Sequence, residues 1–449
     1  MPGRRHRLHR LLLCACLWAM ALPLLAVERF PRPDFKTGYA SPALATPAAR
    51  APWLAYLDVA VLVAALALAD RFALRTRTRR GLWALTLFSA AYFGFWRRGC
   101  VCSVGSIQNV AQSLADPGVA IPAAVLAFFA IPLLWTLFSG RTFCAAICPL
   151  GAVQELVLWR PVRMPGWLNH VLGVVPWLYL GYAVLYAATG AGFPICREDP
   201  FVGIFRRGAP PAMAVATALF VVASLFIGRP YCRFFCPYGA LLGLMSRVSR
   251  RHLTITPADC VQCRLCEDAC PYGAIRKPLP ATGPEPRAAG VRRLAVILIA
   301  APLLTIAAAG AGFALGDQLA ARHPRVALAR DVAHHPSAEA AEGSVERTAF
   351  FASGATPDTL DAEARALQRR FAAGGAFWAG GLALALFFKL LGLSIWRSRK
   401  DYEPDRATCV SCGRCFASCP VGRRPSPSSV PPRAAGGGAI RSATPERIP

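Results

Sequence analysis

The apolar residues of this chain come in blocks of roughly 17–25, the length that crosses about 30 Å of hydrocarbon. They centre on 53–70, 81–96, 119–138, 168–189, 211–228, 294–316 and 372–395. In hydrocarbon every backbone polar group must be satisfied within its own segment or a closed barrel, so blocks of this kind are helices. Over 449 residues, 55% are hydrophobic and 16% charged, with a mean hydropathy of +0.41. A soluble domain carries about a quarter charged residues. The expected fold is therefore a polytopic α-helical membrane protein, with the lipid bilayer as its first partner.

The formal charge of +26 invites a nucleic-acid reading. The basic residues sit beside the apolar blocks instead, which is the positive-inside pattern, and no nucleic-acid partner is expected. Loop 71–80 has five Arg in ten residues and is expected on the cytoplasmic side. Alternation then puts 97–118, 190–210 and 317–371 outside. It puts 139–167, 229–293 and the part beyond 396 inside. Residues 1–27, a basic start followed by an apolar stretch, read as a signal peptide or signal anchor, and 28–52 as an external linker. The segment 421–449 is rich in Pro, Gly, Ser and Arg and is expected to be disordered.

Eight of the seventeen cysteines fall in two runs of identical spacing. The first is Cys260-x2-Cys263-x2-Cys266-x3-Cys270-Pro271, and the second Cys409-x2-Cys412-x2-Cys415-x3-Cys419-Pro420. Three thiolates at two-residue gaps wrap three corners of a 4Fe–4S cubane. In two-cluster ferredoxins the cysteine before the proline ligates the other cluster. The expected ligand sets are Cys260, Cys263, Cys266 and Cys419 for one cluster, and Cys409, Cys412, Cys415 and Cys270 for the other. Structural zinc would use paired C-x2-C units with a longer spacer. The runs lie in segments 251–293 and 396–420, with spans 294–316 and 372–395 and a periplasmic segment 317–371 between them. A small ferredoxin-like 2(4Fe–4S) module must then assemble from two cytoplasmic segments.

Within the membrane core, 53–250, a frame repeats. Gly140-Arg141…Cys144-x3-Cys148-Pro149-x-Gly151-Ala152 returns 88 residues later as Gly228-Arg229…Cys232-x3-Cys236-Pro237-x-Gly239-Ala240. Spacing i, i+4 is expected to put each pair of sulfurs on one helix face. Two such pairs facing each other would make a four-thiolate metal or redox site, whereas single buried cysteines would be packing residues. Cys100, Cys102 and Cys196 fall in the expected external loops, where a disulfide and a soft-metal site such as Cu(I) are both open. Ser353-Gly354-Ala355-Thr356 matches the stretch on which some membrane flavoproteins carry FMN. Pro357 follows it and the external segment is short, so FMN is not expected on this chain, and Thr356 or Asp358 reads as a helix cap.

With these motifs in hand, residues 81–420 resemble the membrane polyferredoxins of the NosR and NapH type, and more distantly the CcoG/FixG type. The most specific part is Cys144/Cys148, Cys232/Cys236 and the two Cys-Pro-terminated runs. The resemblance implies inner-membrane electron transfer from quinol or a cytoplasmic donor to a periplasmic redox partner, in denitrification or nitrate and nitrous-oxide respiration. It implies an electron-transfer subunit, with quinol oxidation in a complex as the enzymatic form. NosR-type proteins carry a large periplasmic FMN domain, so a separate FMN-binding protein is an expected partner. Cys100-x-Cys102 departs from the NapH-type pattern. The competing expectation is a copper-centre assembly or reduction factor for a respiratory reductase or oxidase.

Overall fold

The computed structural model describes residues 51–421 apart from 100–101, 207, 209, 256–259, 280–285, 336–343 and 395–398. The leader 1–27, almost all of the linker 28–52 and of the tail 421–449, and Cys100 lie outside the described residues. Three described helical stretches are long and apolar enough to cross a membrane: Gly166–Ala188, Arg287–Ala320 and Pro357–Gly392. A fourth is added if Pro200–Arg206 and Pro211–Phe226, bent by 105°, form one broken span.

Helix α1 (Pro52–Asp70) opens on a proline at a position whose N–H has no helical partner anyway. Helix α2 (Arg79–Ser89) runs into a π-helical segment, Ala90–Trp96, so the expected span 81–96 is one helix widened in its second half. Two carboxylates lie on α1, and both are tied. Asp58 meets Arg97 at 2.6 Å and the Tyr92 hydroxyl at 2.9 Å; Asp70 accepts from Trp135 Nε1 at 3.0 Å. Buried charges are costly unless paired, so these contacts lock α1 to its neighbours.

The segment 97–118, expected as an external loop, holds helix α3 (Ser103–Ala115), buried from Ser103 to Gln108. Its small residues allow the insertion: a Cβ added at Gly105 would lie 3.1 Å from Cys196 Sγ.

The repeat follows. Its first copy is α4 (Ala123–Ser139), α5 (Thr142–Ala146) and α6 (Pro149–Val157). After α7 (Val175–Ala188) come two short helices, α8 (Pro194–Glu198) and α9 (Pro200–Arg206). The second copy is α10 (Pro211–Phe226), α11 (Pro230–Phe234) and α12 (Pro237–Arg247). The copies cap each other. Arg250 and Arg251 N–H groups, just past α12, donate to the Leu137 and Phe138 carbonyls at the end of α4, at 2.9 and 2.8 Å. Trp159 and Val162 N–H groups, just past α6, donate to Leu225 and Phe226 at the end of α10, at 3.0 and 2.7 Å. The last carbonyls of a helix lack intrahelical partners, and each copy supplies them to the other.

Helix α13 (Leu265–Asp268) and strand β1 (Ile275–Arg276) belong to the first ferredoxin-type segment. The long helices α14 (Arg287–Ala314) and α15 (Pro357–Ser394) form a hairpin. Between them a small helical cap, Gly316–Ala320, Pro324–His334 and Val345–Ala352, has its own apolar clusters around Phe371 and Phe350. The hairpin crosses on glycines. A Cβ on Gly312 would meet the Gly375 carbonyl at 2.3 Å, and one on Gly316 the Ala372 backbone at 2.4 Å, the close approach of a small-xxx-small seam. Strand β2 (Glu403–Pro404) pairs antiparallel with β1, Ile275 opposite Pro404. Helix α16 (Arg414–Ser418) packs on α13. One apolar core runs from Leu62 in α1 through Cys148 and Tyr231 to Cys409 and Cys419.

Candidate metal centre

The two Cys-Pro-terminated runs meet although roughly 140 residues separate them. Beyond the β1–β2 ladder, the Asp405 N–H donates to the Ala274 carbonyl at 2.7 Å, and Arg276 pairs with the Asp405 carboxylate across the seam. The loops share one backbone shape. The residues on either side of the second cysteine are left-handed in both: Gln262 and Arg264 at φ 51° and 62°, Ser411 and Gly413 at φ 53° and 75°. A left-handed residue other than glycine costs of order 1 kcal/mol and is kept where surrounding structure demands it. Here it turns each loop around its sulfurs.

Cys409, Cys412, Cys415 and Cys270 lie close enough for the charge on one thiol to act on the others. Cys260 and Cys263 act in the same way on Cys266. Cys419 is buried and directly follows α16, the helix packed on α13. Backbone donors face two of the sulfurs, Ala274 N to Cys270 Sγ at 3.4 Å and Ser411 N to Cys409 Sγ at 3.5 Å. Burial pushes the Cys409 thiol up to about 12 and that of Cys266 up to about 11. Thiols of this kind give up their protons on binding metal. Soft sulfur donors, backbone N–H groups turned toward them and, for the second run, burial of Cys409, Cys415 and Cys419 fit an iron–sulfur cluster.

Glu155 of α6 joins this module to the membrane core. Its buried carboxylate accepts from Arg414 at 2.6 Å and from the Tyr272 hydroxyl at 2.6 Å, and pairs with Arg229 at 3.4 Å and Arg79 at 3.6 Å. Burial pushes Glu155 up, but Arg414, Arg229 and the Tyr272 hydroxyl outweigh it and hold the carboxyl at about 2. Tyr272 stands two residues after Cys270, and Arg414 lies between Cys412 and Cys415. One carboxylate thus grips both runs. Glu155 is the only acidic residue in the basic segment 139–167, a signal that the sequence carries.

The repeated cysteines also come together, though not as two helical pairs. The helix breaks between the members of each pair. Cys148 and Cys236 are extended, at ψ 116° and 111°, and cap the next helix. Pro149 and Pro237 cause this, because a proline drives the preceding residue out of the α region. The Cys236 sulfur accepts from Gly239 N at 3.3 Å. Across the copies, Cys148 lies beside Cys232, and Cys236 lies near Cys148 and Cys144. Gln154 Nε2 donates to Cys232 Sγ at 3.2 Å. The repeated arginines interlock the copies. Arg229, fully buried and left-handed at φ 48°, donates to the Cys144 and Ala145 carbonyls at the end of α5 and lies over Gly151. Arg141 lies over Gly239 and donates to the Ala407 carbonyl at 2.9 Å. A Cβ at either glycine would press on the other copy's guanidinium, at 3.1 Å for Gly151 and 3.4 Å for Gly239.

Cys102, expected in an external loop, sits at the head of α3 against Cys148 and joins this thiol core. Cys196 lies on α8, where Gln108 Nε2 faces its sulfur at 3.7 Å. Cys102 is a free thiol. Among the described residues, no three His, Cys, Asp or Glu side chains close around a point as ligands of a single ion do. Asp199, a buried carboxylate missed by pattern reading, accepts from the Tyr231 hydroxyl beside the thiol core, and burial raises it to about 6. Thr356 stands just ahead of α15, its hydroxyl donating to Thr359 Oγ1 at 3.3 Å rather than accepting a backbone N–H as a helix cap does.

Two family models, each described as a 4Fe-4S binding domain, match the chain. One covers 121–174 and 209–256, taking in each copy of the repeat, and the other covers 253–276, taking in the first run. Protein NirI of Paracoccus denitrificans is 29% identical over 284 residues, 57% of this chain and 40% of that protein. Regulatory protein NosR of Pseudomonas aeruginosa is 29% identical over 243 residues, 48% of this chain and 32% of that protein. Ferredoxin-type protein NapH of Escherichia coli is 26% identical over 181 residues, 37% of this chain and 58% of that protein. The chain thus spans less than two thirds of each of these relatives. No solved structure matches it.

Proposed function

The chain belongs to the membrane polyferredoxins of the NosR and NapH type, and from that premise we propose that it carries two 4Fe–4S clusters on the cytoplasmic face of a bacterial inner membrane. Electrons pass between quinol or a cytoplasmic donor and a periplasmic redox partner, in a denitrifying or nitrate-respiring system. Cys260, Cys263, Cys266 and Cys419 hold one cluster; Cys409, Cys412, Cys415 and Cys270 hold the other. What supports this assignment is that Cys270 of the first run lies among the three cysteines of the second.

Bound clusters supply one-electron transfer. The chain's own share is to hold them, exclude water and tune them through N–H contacts to sulfur and nearby charge. Arg414 and Arg79, beside Cys412, place positive charge where a reduced cluster is favoured. Anaerobically purified protein is expected to contain about eight iron per chain with cubane EPR signals on reduction. Cys270→Ser should retain about four. Four iron in the unaltered chain, or zinc in place of iron, overturns the two-cluster reading.

A second reading rests on the thiol core. Cys102, Cys144, Cys148, Cys232 and Cys236 are soft donors gathered in one buried place, as copper handling would require. Changing Cys102 and Cys148 to Ser separates the readings. Loss of metal-centre maturation in a partner, with reduction of that partner intact, selects the assembly factor.

A further inference from the structure

We propose that the groove between the α14–α15 hairpin and the membrane core is a binding site for one anionic phospholipid of the leaflet next to the ferredoxin module. The inference rests on the hairpin crossing the membrane, not on the clusters.

Helix α15 touches the core closely around Gly374 and Trp378. Trp378 Nε1 donates to the Trp177 carbonyl at 2.9 Å, and Gly374 lies against Leu185. Beyond Trp378 the hairpin leaves the core, and a cavity of about 2520 Å³ opens between them. Its upper part is apolar, lined by Trp177, Leu178, Phe377, Leu382 and Leu386. Its lower part is cationic, with Arg247, Arg293, Lys389, Arg399 and Arg406. Over the whole lining there are ten Arg and Lys against two acidic residues; Arg229, Arg276 and Lys277 are already paired, with Glu155, Asp405 and Glu267. Arg399 adds a separate sign of a missing anion. Its Nε and Nη1 are buried and have no hydrogen-bond partner.

The dimensions match the ligand. From Phe377 to Lys389 the groove follows α15 for twelve residues, about 18 Å at helical rise. Half of the hydrocarbon core is about 15 Å. Acyl chains laid along the apolar wall therefore place a phosphate among the cations. Water cannot fill an apolar cleft open to lipid, and a neutral lipid would leave Arg399 without an anion. Basic pockets between helices on the cytoplasmic side are a recognised form of anionic-lipid site. The bound lipid would brace the hairpin that carries the second ferredoxin run.

The full chain in mild detergent is titrated with phosphatidylglycerol and, separately, with phosphatidylethanolamine, and bound lipid is counted by native mass spectrometry. One phosphatidylglycerol should bind in preference. Arg247→Gln with Arg399→Gln should cut that preference roughly 25-fold, about fivefold for each cation. Arg330→Gln, on the cap, should leave it unchanged. Gly381→Trp should abolish binding by filling the apolar part, since a side chain there meets open space. Iron content should hold in every variant, which separates loss of lipid from loss of fold or of clusters. Equal retention of the two lipids, unchanged binding by Gly381→Trp, or the same thermal stabilisation by inorganic phosphate alone overturns the proposal.

Discussion

Glu155 shows how one side chain can decide whether two parts of a protein stay joined. It is buried with three guanidinium groups around it, and none of the three can be discharged. Glu155→Gln keeps the shape and removes the charge, leaving Arg229 and Arg414 facing each other in a dry place. Breaking a buried pair from one side costs about 3–5 kcal/mol. The purified variant should melt well below the unaltered protein and lose its visible cluster absorbance first. The same carboxylate sets a pH dependence. Its folded-state value of about 2 lies below the ordinary 4.5, so its stabilisation is full above pH 4.5 and is lost as pH falls toward 2. Melts between pH 5 and 2.5 should show that decline, and Glu155→Gln should flatten it. Pattern reading missed this residue because its partners lie 117 and 259 positions away in the sequence. Sequence supplies the type and spacing of the cysteines, since a cubane imposes both, but not which distant arginine meets which carboxylate.

At the level of elements, the repeated frame and the hairpin each depend on glycines where backbones touch. Gly228 abuts the ferredoxin loop, where a Cβ would sit 2.9 Å from the Pro271 carbonyl. Gly312 abuts Gly375 even more closely. Gly312→Leu should therefore force α14 from α15 and withdraw the second run from the first. Measured iron per chain is expected to fall, with Cys409 becoming open to alkylation, while Gly290→Leu, in open space on the same helix, should change neither. The three clear spans were readable from apolar length alone. The break inside each C-x3-C-P unit was readable too, since Pro149 and Pro237 forbid the continuous helix that i, i+4 spacing suggests. The burial of α3 was not. Its residues are mild in hydropathy, and only the packing of Gly105 against α8 reveals it.

For the whole molecule the arrangement turns on sidedness. The positive-inside count and the meeting of the two runs are independent, and both require an even number of crossings between Cys270 and Cys409. A reporter fused after Arg399 should be active as a cytoplasmic fusion and silent as a periplasmic one; the reverse result would overturn the orientation. The meeting of the runs also bears on biogenesis. When Cys270 leaves the ribosome, Cys409 is still roughly 140 residues from synthesis, about ten seconds at ordinary elongation rates. In that interval the first run has only its own thiols to offer. On the ligand sets proposed above, a nascent chain whose hairpin inserts the wrong way round would strand its later cysteines across the bilayer and complete neither set. Acquisition of the proposed clusters would then act as a proofreading step on membrane insertion, admitting only correctly threaded copies to the working pool.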